Sequence, residues 1–143
     1  MPSVTKKPKD LMKEGPILEV QFIISSELER KYREEGKVIP KPIVIKALVD
    51  TGCTSCAISD HIPKELNLQP VGSVDLRTPS GKRACFQYFM RMLIPSHGLA
   101  YEGTFIGVTL EGQDVDCLIG RDVLKDSILI YIGPENQFTL SIL

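Results

Sequence analysis

Short β-rich segments separated by turn residues are the feature that most limits how this chain can fold. Apolar and β-branched residues are concentrated over residues 17–24, 38–49 and 83–94, and shorter runs follow as far as the C-terminus. Turn signals about every 8–12 residues are typical of a closed or sandwich-like β architecture. We therefore predict an all-β, barrel-like domain with about eight strands and at most two or three short helices.

The length of the chain, 143 residues, is that of a single domain, and its hydrophobic fraction of 43% is sufficient for a core. Residues 1–15 are polar and are interrupted by proline and glycine. We therefore predict a flexible N-terminal tail over residues 1–15 and one domain over residues 16–143.

The charge of the chain is balanced, with 17 basic and 18 acidic residues, which argues against nucleic acid as the main partner. No apolar run is long enough for a secretory signal or a membrane span. These features favour a cytoplasmic location, where thiols stay reduced. We accordingly expect buried free thiols at all four cysteines, which are Cys53, Cys56, Cys85 and Cys117.

Short helical segments are predicted at residues 25–36, 59–66 and 120–126. In the first of these, Ser26 and Glu29 have the spacing of a capping box, in which each side chain bonds the backbone of the other residue. The charged residues that follow favour a solvated helix face.

The remaining β-rich runs predict further strands and their turns. Residues 104–110 and 115–119 are expected to form strands around a turn at Glu111 and Gly112, and residues 128–132 and 138–143 are expected to be the last two strands. Upstream, two strands flank residues 78–82, Thr-Pro-Ser-Gly-Lys. Proline presets φ and glycine tolerates a positive φ, so these residues predict the tip of a β-hairpin.

The most informative motif is Asp50-Thr51-Gly52, which follows an apolar strand ending at Val49. An acid at this point lies where a buried strand ends and its carboxylate can face a cleft. Gly52 permits a sharp turn and a close approach by another group. The motif alone is moderate support for a functional site, because an ordinary β-turn can have the same three residues.

Three features in this order resemble the retropepsin-like aspartic peptidases: the Asp-Thr-Gly motif, the later hairpin tip, and a Leu-Ile-Gly-Arg-Asp segment near the C-terminus. The resemblance covers residues 17–143 and implies a closed acid-protease β fold with one short C-terminal helix. It implies that Asp50 is the catalytic acid and that Thr51, Gly52 and Cys53 support it. The flap over the substrate would be formed by Thr78, Pro79, Ser80 and Gly81, and the supporting segment by Leu118, Ile119, Gly120, Arg121 and Asp122.

The sequence contains a single Asp-Thr-Gly, whereas this chemistry needs two carboxylates that share a proton. A homodimer would bring two copies of Asp50 together across a two-fold axis. The expected activity is that of an aspartic endopeptidase acting on a peptide or protein substrate, with no metal and no cofactor. By the same resemblance, the terminal strand, residues 138–143, is expected to pair across the dimer.

Three positions depart from the family pattern. Thr54 stands where retroviral relatives often have the acid that pairs with the later arginine, so the partner of Arg121 is open. Pro79 and Ser80 replace a glycine-rich flap tip. Cys53 replaces a serine that can donate to the catalytic carboxylate, and because a thiol is a weaker donor we expect a less acidic pH optimum than in serine-bearing relatives.

Other functions remain open on the sequence alone. Cys53 and Cys56 form a C-x-x-C pair, but a second close pair of metal ligands is missing, as is a redox βαβ setting. Ser55, Asp60 and His61 have the residue types of a catalytic triad but are near neighbours in sequence, without a nucleophile elbow. The strongest alternative is a catalytically silent dimeric β module that binds extended peptides without cleaving them.

Overall fold

The structure, a computed structural model, describes residues 1–110 and 114–142 and is mostly β, with 49% strand and 21% helix. The predicted all-β character is therefore confirmed. The described residues contain ten strands rather than about eight, and four short α-helices rather than two or three. The turn predicted at Glu111 and Gly112 lies outside the described residues, as does Leu143.

The strands are β1 (Ser3–Lys6), β2 (Ile17–Ile24), β3 (Ile43–Val49), β4 (Ala57–Ser59), β5 (Gly72–Thr78), β6 (Gly81–Ile94), β7 (Leu99–Val108), β8 (Cys117–Ile119), β9 (Ser127–Ile132) and β10 (Gln137–Ile142). The helices are α1 (Leu11–Glu14), α2 (Ser26–Glu35), α3 (His61–Glu65) and α4 (Arg121–Leu124), and two 3-10 turns span Pro95–His97 and Gly133–Glu135. No helix in the described residues is long and apolar enough to cross a membrane.

Two sheets organise these strands. The larger one has seven strands in the order β2-β3-β8-β4-β7-β6-β5, and β2 pairs with β6 as well as with β3. The smaller one has the order β1-β10-β9. Within the larger sheet, β3 and β8 are parallel neighbours, which places the ends of these two strands side by side. This pairing positions the candidate site described below.

The core lies against one face of the larger sheet and follows the alternation of apolar residues along its strands. In β2, Leu18, Val20, Phe22 and Ile24 are buried, whereas the residues between them are at least partly exposed. Because side chains alternate between the faces of a strand, β2 places one complete face in the core. Phe22 packs edge-to-face against Phe105, with ring centroids 5.0 Å apart.

The prediction of a tail over residues 1–15 is wrong for most of that segment. β1 pairs with β10 over four residues, and α1 follows it. Val4 and Leu11 are buried in the core, and the Leu11 amide donates to Asn136 Oδ1 at 2.8 Å. The polar composition concealed these two anchors, because a short strand needs only one buried residue when a long-range partner supplies its backbone bonds.

The predicted capping box at the start of α2 is also wrong. The cap is Ser25, whose hydroxyl accepts from the Leu28 amide at 3.2 Å. The amide and hydroxyl of Ser26 bond Glu102 instead, and Glu29 forms an ion pair with Arg91 at 2.7 Å. Two adjacent serines made the cap ambiguous in the sequence, and contacts with β6 and β7 decided it.

The predicted hairpin is confirmed. β5 and β6 pair from Gly72–Gln87 as far as Thr78–Gly81, which leaves Pro79 and Ser80 as a two-residue loop. Gly81 has a φ of +119°, a conformation that side chains disfavour. The Thr78 hydroxyl donates to the Gly81 carbonyl at 2.7 Å and thereby closes the tip.

Candidate active site

Asp50 lies immediately after β3, beside the end of β8. The Asp50 amide donates to the Ile119 carbonyl at 2.9 Å, which continues the β3–β8 pairing by one residue. Leu48 and Leu118 are paired one step earlier. The structure thus brings the Asp-Thr-Gly motif into contact with the Leu-Ile-Gly-Arg-Asp segment.

The loop around Asp50 fixes the position of its carboxylate. Asp50 Oδ1 accepts from the Gly52 amide at 2.9 Å, and the Asp50 carbonyl accepts from the Cys53 amide at 3.2 Å. A Cβ at position 52 would lie 3.2 Å from Asp50 Oδ1, so glycine allows the carboxylate to fold against the backbone. Asp50 Oδ2 accepts no hydrogen bond from the described residues, which leaves one carboxylate oxygen available. Thr51 and Gly52 are exposed beside it.

The segment from Gly120 to Asp122 holds the far side of this loop. The Arg121 amide donates to the Cys53 carbonyl at 2.8 Å, and the Asp122 amide donates to the Thr54 carbonyl at 3.1 Å. Gly120 is packed so closely that a Cβ there would lie 2.7 Å from the carbonyl carbon of Ser55. The two segments therefore form one unit, and glycine at position 120 is required by close backbone approach.

The side chain of Arg121 completes this contact. Nη1 donates to the Thr51 carbonyl at 2.8 Å, and Nη2 donates to the Thr54 hydroxyl at 3.1 Å. Over the described residues, Arg121 forms no ion pair with a carboxylate. The partner of Arg121, which the sequence left open, is thus the Thr51 carbonyl together with the Thr54 hydroxyl.

Cys53 lies in the loop but does not donate to the carboxylate of Asp50. Its thiol donates to the Ser55 carbonyl at 2.9 Å. Burial and the nearby charge of Asp50 raise the pKa of the Cys53 thiol. The thiol therefore stays protonated at neutral pH and takes no part in stabilising the ionised form of Asp50 by hydrogen bonding.

Cys56 belongs to the hydrogen-bond network of this site, although the sequence predicted it only as a buried free thiol. It is fully buried, its amide donates to Asp122 Oδ2, and its Sγ lies 3.0 Å from Asp122 Oδ1. The Gly120 amide donates to the same sulfur at 3.3 Å. The position of Cys56 shortly after Asp-Thr-Gly was the one sequence signal, but the C-x-x-C spacing directed attention to metals and redox chemistry.

A row of apolar side chains lies on the Asp50 side of the sheet. Strand pairing places Leu48, Leu118, Ala57 and Ile106 next to one another across four strands. Asp50 follows Leu48 by two positions, and in an extended chain residues two apart share a face. Leu48 and Leu118 are half-buried, whereas Ala57 and Ile106 are each 7% exposed.

The predicted flap residues are separate from this cluster in the described contacts. Thr78, Pro79, Ser80 and Gly81 are exposed at the hairpin tip, and the side-chain hydrogen bonds of Thr78 and Ser80 stay within the tip. The tip is thus a free-standing loop between two long strands.

The other groupings considered from the sequence do not assemble into sites. All four cysteines are free, and the described residues contain no group of three or more metal-ligating side chains. His61 lies 3.2 Å from Glu65 and 3.3 Å from Asp116, rather than beside Ser55. Ser55 instead stabilises the loop after Asp50, since its carbonyl accepts a hydrogen bond from the Cys53 thiol.

Comparison of the chain with models of known protein families finds no match, and comparison with curated proteins finds none either.

Proposed function

We propose that the chain is one subunit of a homodimeric aspartic endopeptidase of the retropepsin-like type. The observation that carries the proposal is the placement of Asp50: it directly follows β3, one oxygen of its carboxylate is held by the Gly52 amide, and the other is available. A loop that served only as a turn would not need the additional hydrogen bonds from Arg121 and Asp122.

A second subunit supplies the second carboxylate in this proposal. Two carboxylates a few ångströms apart cannot both ionise, so they share one proton and divide the roles of acid and base. A two-fold axis beside the exposed Thr51 and Gly52 would bring Asp50 against the partner subunit's Asp50. Catalysis and dimerisation therefore depend on each other.

The proposed reaction uses water as the nucleophile. The ionised carboxylate takes a proton from a bound water as the water oxygen attacks the scissile carbonyl carbon. The protonated carboxylate donates to the developing oxyanion, and a proton passes to the amine nitrogen as the C–N bond breaks. No covalent bond forms between the protein and the substrate.

The surroundings of Asp50 suit an extended peptide with apolar side chains. The half-buried side chains of Leu48 and Leu118, which are paired across β3 and β8, offer apolar surface on the Asp50 side of the sheet. In the proposed complex the β5–β6 hairpin covers the peptide as a flap, with Pro79 and Ser80 at its tip. Pro79 lacks an amide hydrogen, so substrate bonds at the tip fall to other residues.

Cleavage of a mixed peptide library by the wild type and by Asp50→Asn tests the proposal. We expect the substitution to lower the cleavage rate on the order of 10³-fold or more, because an amide cannot act as the base. Asp126→Asn is the matched control, since Asp126 is exposed outside the loop and should retain wild-type cleavage. Equal cleavage by wild type and Asp50→Asn would contradict the proposal, and binding of peptides by a confirmed dimer that cleaves none would favour the peptide-binding module instead.

A further inference from the structure

The peptide unit between Ile119 and Gly120 is held at both ends. Its carbonyl oxygen accepts from the Asp50 amide at 2.9 Å, and its N–H donates to the sulfur of Cys56 at 3.3 Å. The orientation of one planar peptide is therefore set jointly by Asp50 and Cys56. A change at the sulfur is transmitted to the backbone of Asp50 through this single rigid unit.

The sulfur is itself held from the other side. Cys56 Sγ lies 3.0 Å from Asp122 Oδ1, and because a carboxylate accepts, the thiol is the donor. Asp122 also accepts from the amides of Cys56 and Val123. Burial and the bond to Asp122 strongly raise the pKa of the Cys56 thiol, so the proton needed for this bond is retained at neutral pH.

From this arrangement we infer that Cys56 is a positioning residue for Asp50. Its thiol donates to Asp122 and accepts from Gly120, and it thereby fixes the peptide that orients the Asp50 backbone. A structural cysteine in an apolar core would make neither bond. The effect of this role on catalysis rests on the proposed peptidase activity, whereas the effect on the Asp50 backbone does not.

Cys56→Ala, Cys56→Ser and Cys117→Ala separate this role from simple packing. Cys117 is the matched control because it is also a fully buried free thiol, on the core face of neighbouring β8, with no hydrogen bond to its sulfur in the described residues. Serine can make both bonds of the Cys56 thiol, whereas alanine can make neither. All three variants are compared as full chains, well below their melting temperatures.

The first measurement is hydrogen exchange at the Asp50 amide, corrected for global stability. We expect Cys56→Ala to exchange about tenfold faster at this amide than Cys117→Ala, as loss of one buried hydrogen bond implies. Cys56→Ser should remain within about threefold of the wild type for the same reason. Equal exchange in Cys56→Ala and Cys117→Ala would overturn the inference.

The second measurement is the division of peptidase kinetics between kcat and KM. We expect Cys56→Ala to lower kcat about tenfold with KM nearly unchanged, whereas Cys117→Ala keeps the wild-type kcat. Should Cys56→Ala fail to fold, Cys56→Ser decides: a folded serine variant with a tenfold loss of kcat overturns the inference. A wild type without Asp50-dependent cleavage would refute the proposed function, and the exchange result would still decide the role of Cys56.

Discussion

At the scale of single residues, the candidate site depends on the close approach of the backbone at Gly120 to the backbone of Cys53 and Ser55. A Cβ at Gly120 would lie 2.7 Å from the Ser55 carbonyl carbon and 2.9 Å from the Cys53 carbonyl oxygen, and backbone atoms cannot give way as a flexible side chain does. We predict that Gly120→Ala lowers the free energy of unfolding by about 1–3 kcal/mol, the usual cost of overpacking. Gly133→Ala is the control, since its nearest neighbour would be Tyr131 at an ordinary 3.7 Å. Urea denaturation measures both, and equal stability of the two variants would show that the loops can separate without cost.

At the scale of elements, α2 has no fully buried residue; Leu28 and Tyr32 pack partly buried against the core, and polar contacts also join the helix to the sheet. Hydrogen bonds from Arg91 and Arg33 lower the pKa of the Glu29 carboxyl from its usual 4.5. A carboxyl whose pKa is lower in the folded protein than in the unfolded chain stabilises the fold. This stabilisation is fully present above the unfolded-state pKa and is lost as pH falls through the folded-state pKa. We predict that Glu29→Gln costs no more than about 1 kcal/mol at neutral pH, because the pair is partly exposed, and that the difference from wild type shrinks below pH 4.5.

Denaturation of Glu29→Gln across this pH range measures the effect, with Glu34→Gln as the control on the same helix. Glu34 forms no ion pair in the part of the chain that is described, so its substitution should change stability little at any pH. A Glu29→Gln deficit that persists unchanged in acid would show that charge on Glu29 does not anchor α2.

At the scale of the whole molecule, the proposed dimer needs a surface, and β10 does not provide a free one. Its own chain occupies both of its edges, so the predicted pairing of residues 138–143 with a second copy would require β1 or β9 to leave. β9 is an outer strand of the smaller sheet and has no charged residue. The other outer strand of that sheet, β1, and the outer strand β5 of the larger sheet both carry charged residues, which discourage pairing with another chain. β9 also exposes three large apolar side chains, Ile128, Ile130 and Tyr131.

We therefore expect β9 to take part in the dimer contact in addition to the loop of Thr51 and Gly52, and Ile130→Lys to weaken the dimer at least about tenfold by burying a charge in the contact. Light scattering over a concentration series measures this, and Val38→Lys is the control, because Val38 is 91% exposed in the segment before β3. Deletion of residues 141–143 should instead destabilise each protomer, since Ile142 is buried. A dimer that is unaffected by Ile130→Lys would place the contact elsewhere.

Much of the fold and part of the site followed from local patterns. The alternation in β2, the hairpin tip within residues 78–82 and the acid at the end of β3 each depend on residues within a few positions of one another, and the structure contains all three. The predictions of about eight strands, of a capping box at Ser26 and of a flexible tail over residues 1–15 were wrong. Each of these features depends on distant partners, such as β10 for Val4 and Glu102 for Ser26.

The sequence by itself determined that Asp50 follows an apolar strand and that Gly52 permits a sharp turn directly after it. The tertiary structure decided which groups hold Asp50 in place: the Ile119 carbonyl, the fork of Arg121 and the thiol of Cys56. The sequence could not identify these groups because a hydrogen bond depends on the distance and angle between its atoms. The parallel pairing of β3 and β8 brings these atoms together. A residue pattern records which donors and acceptors exist, but the sheet register selects the pairs that meet.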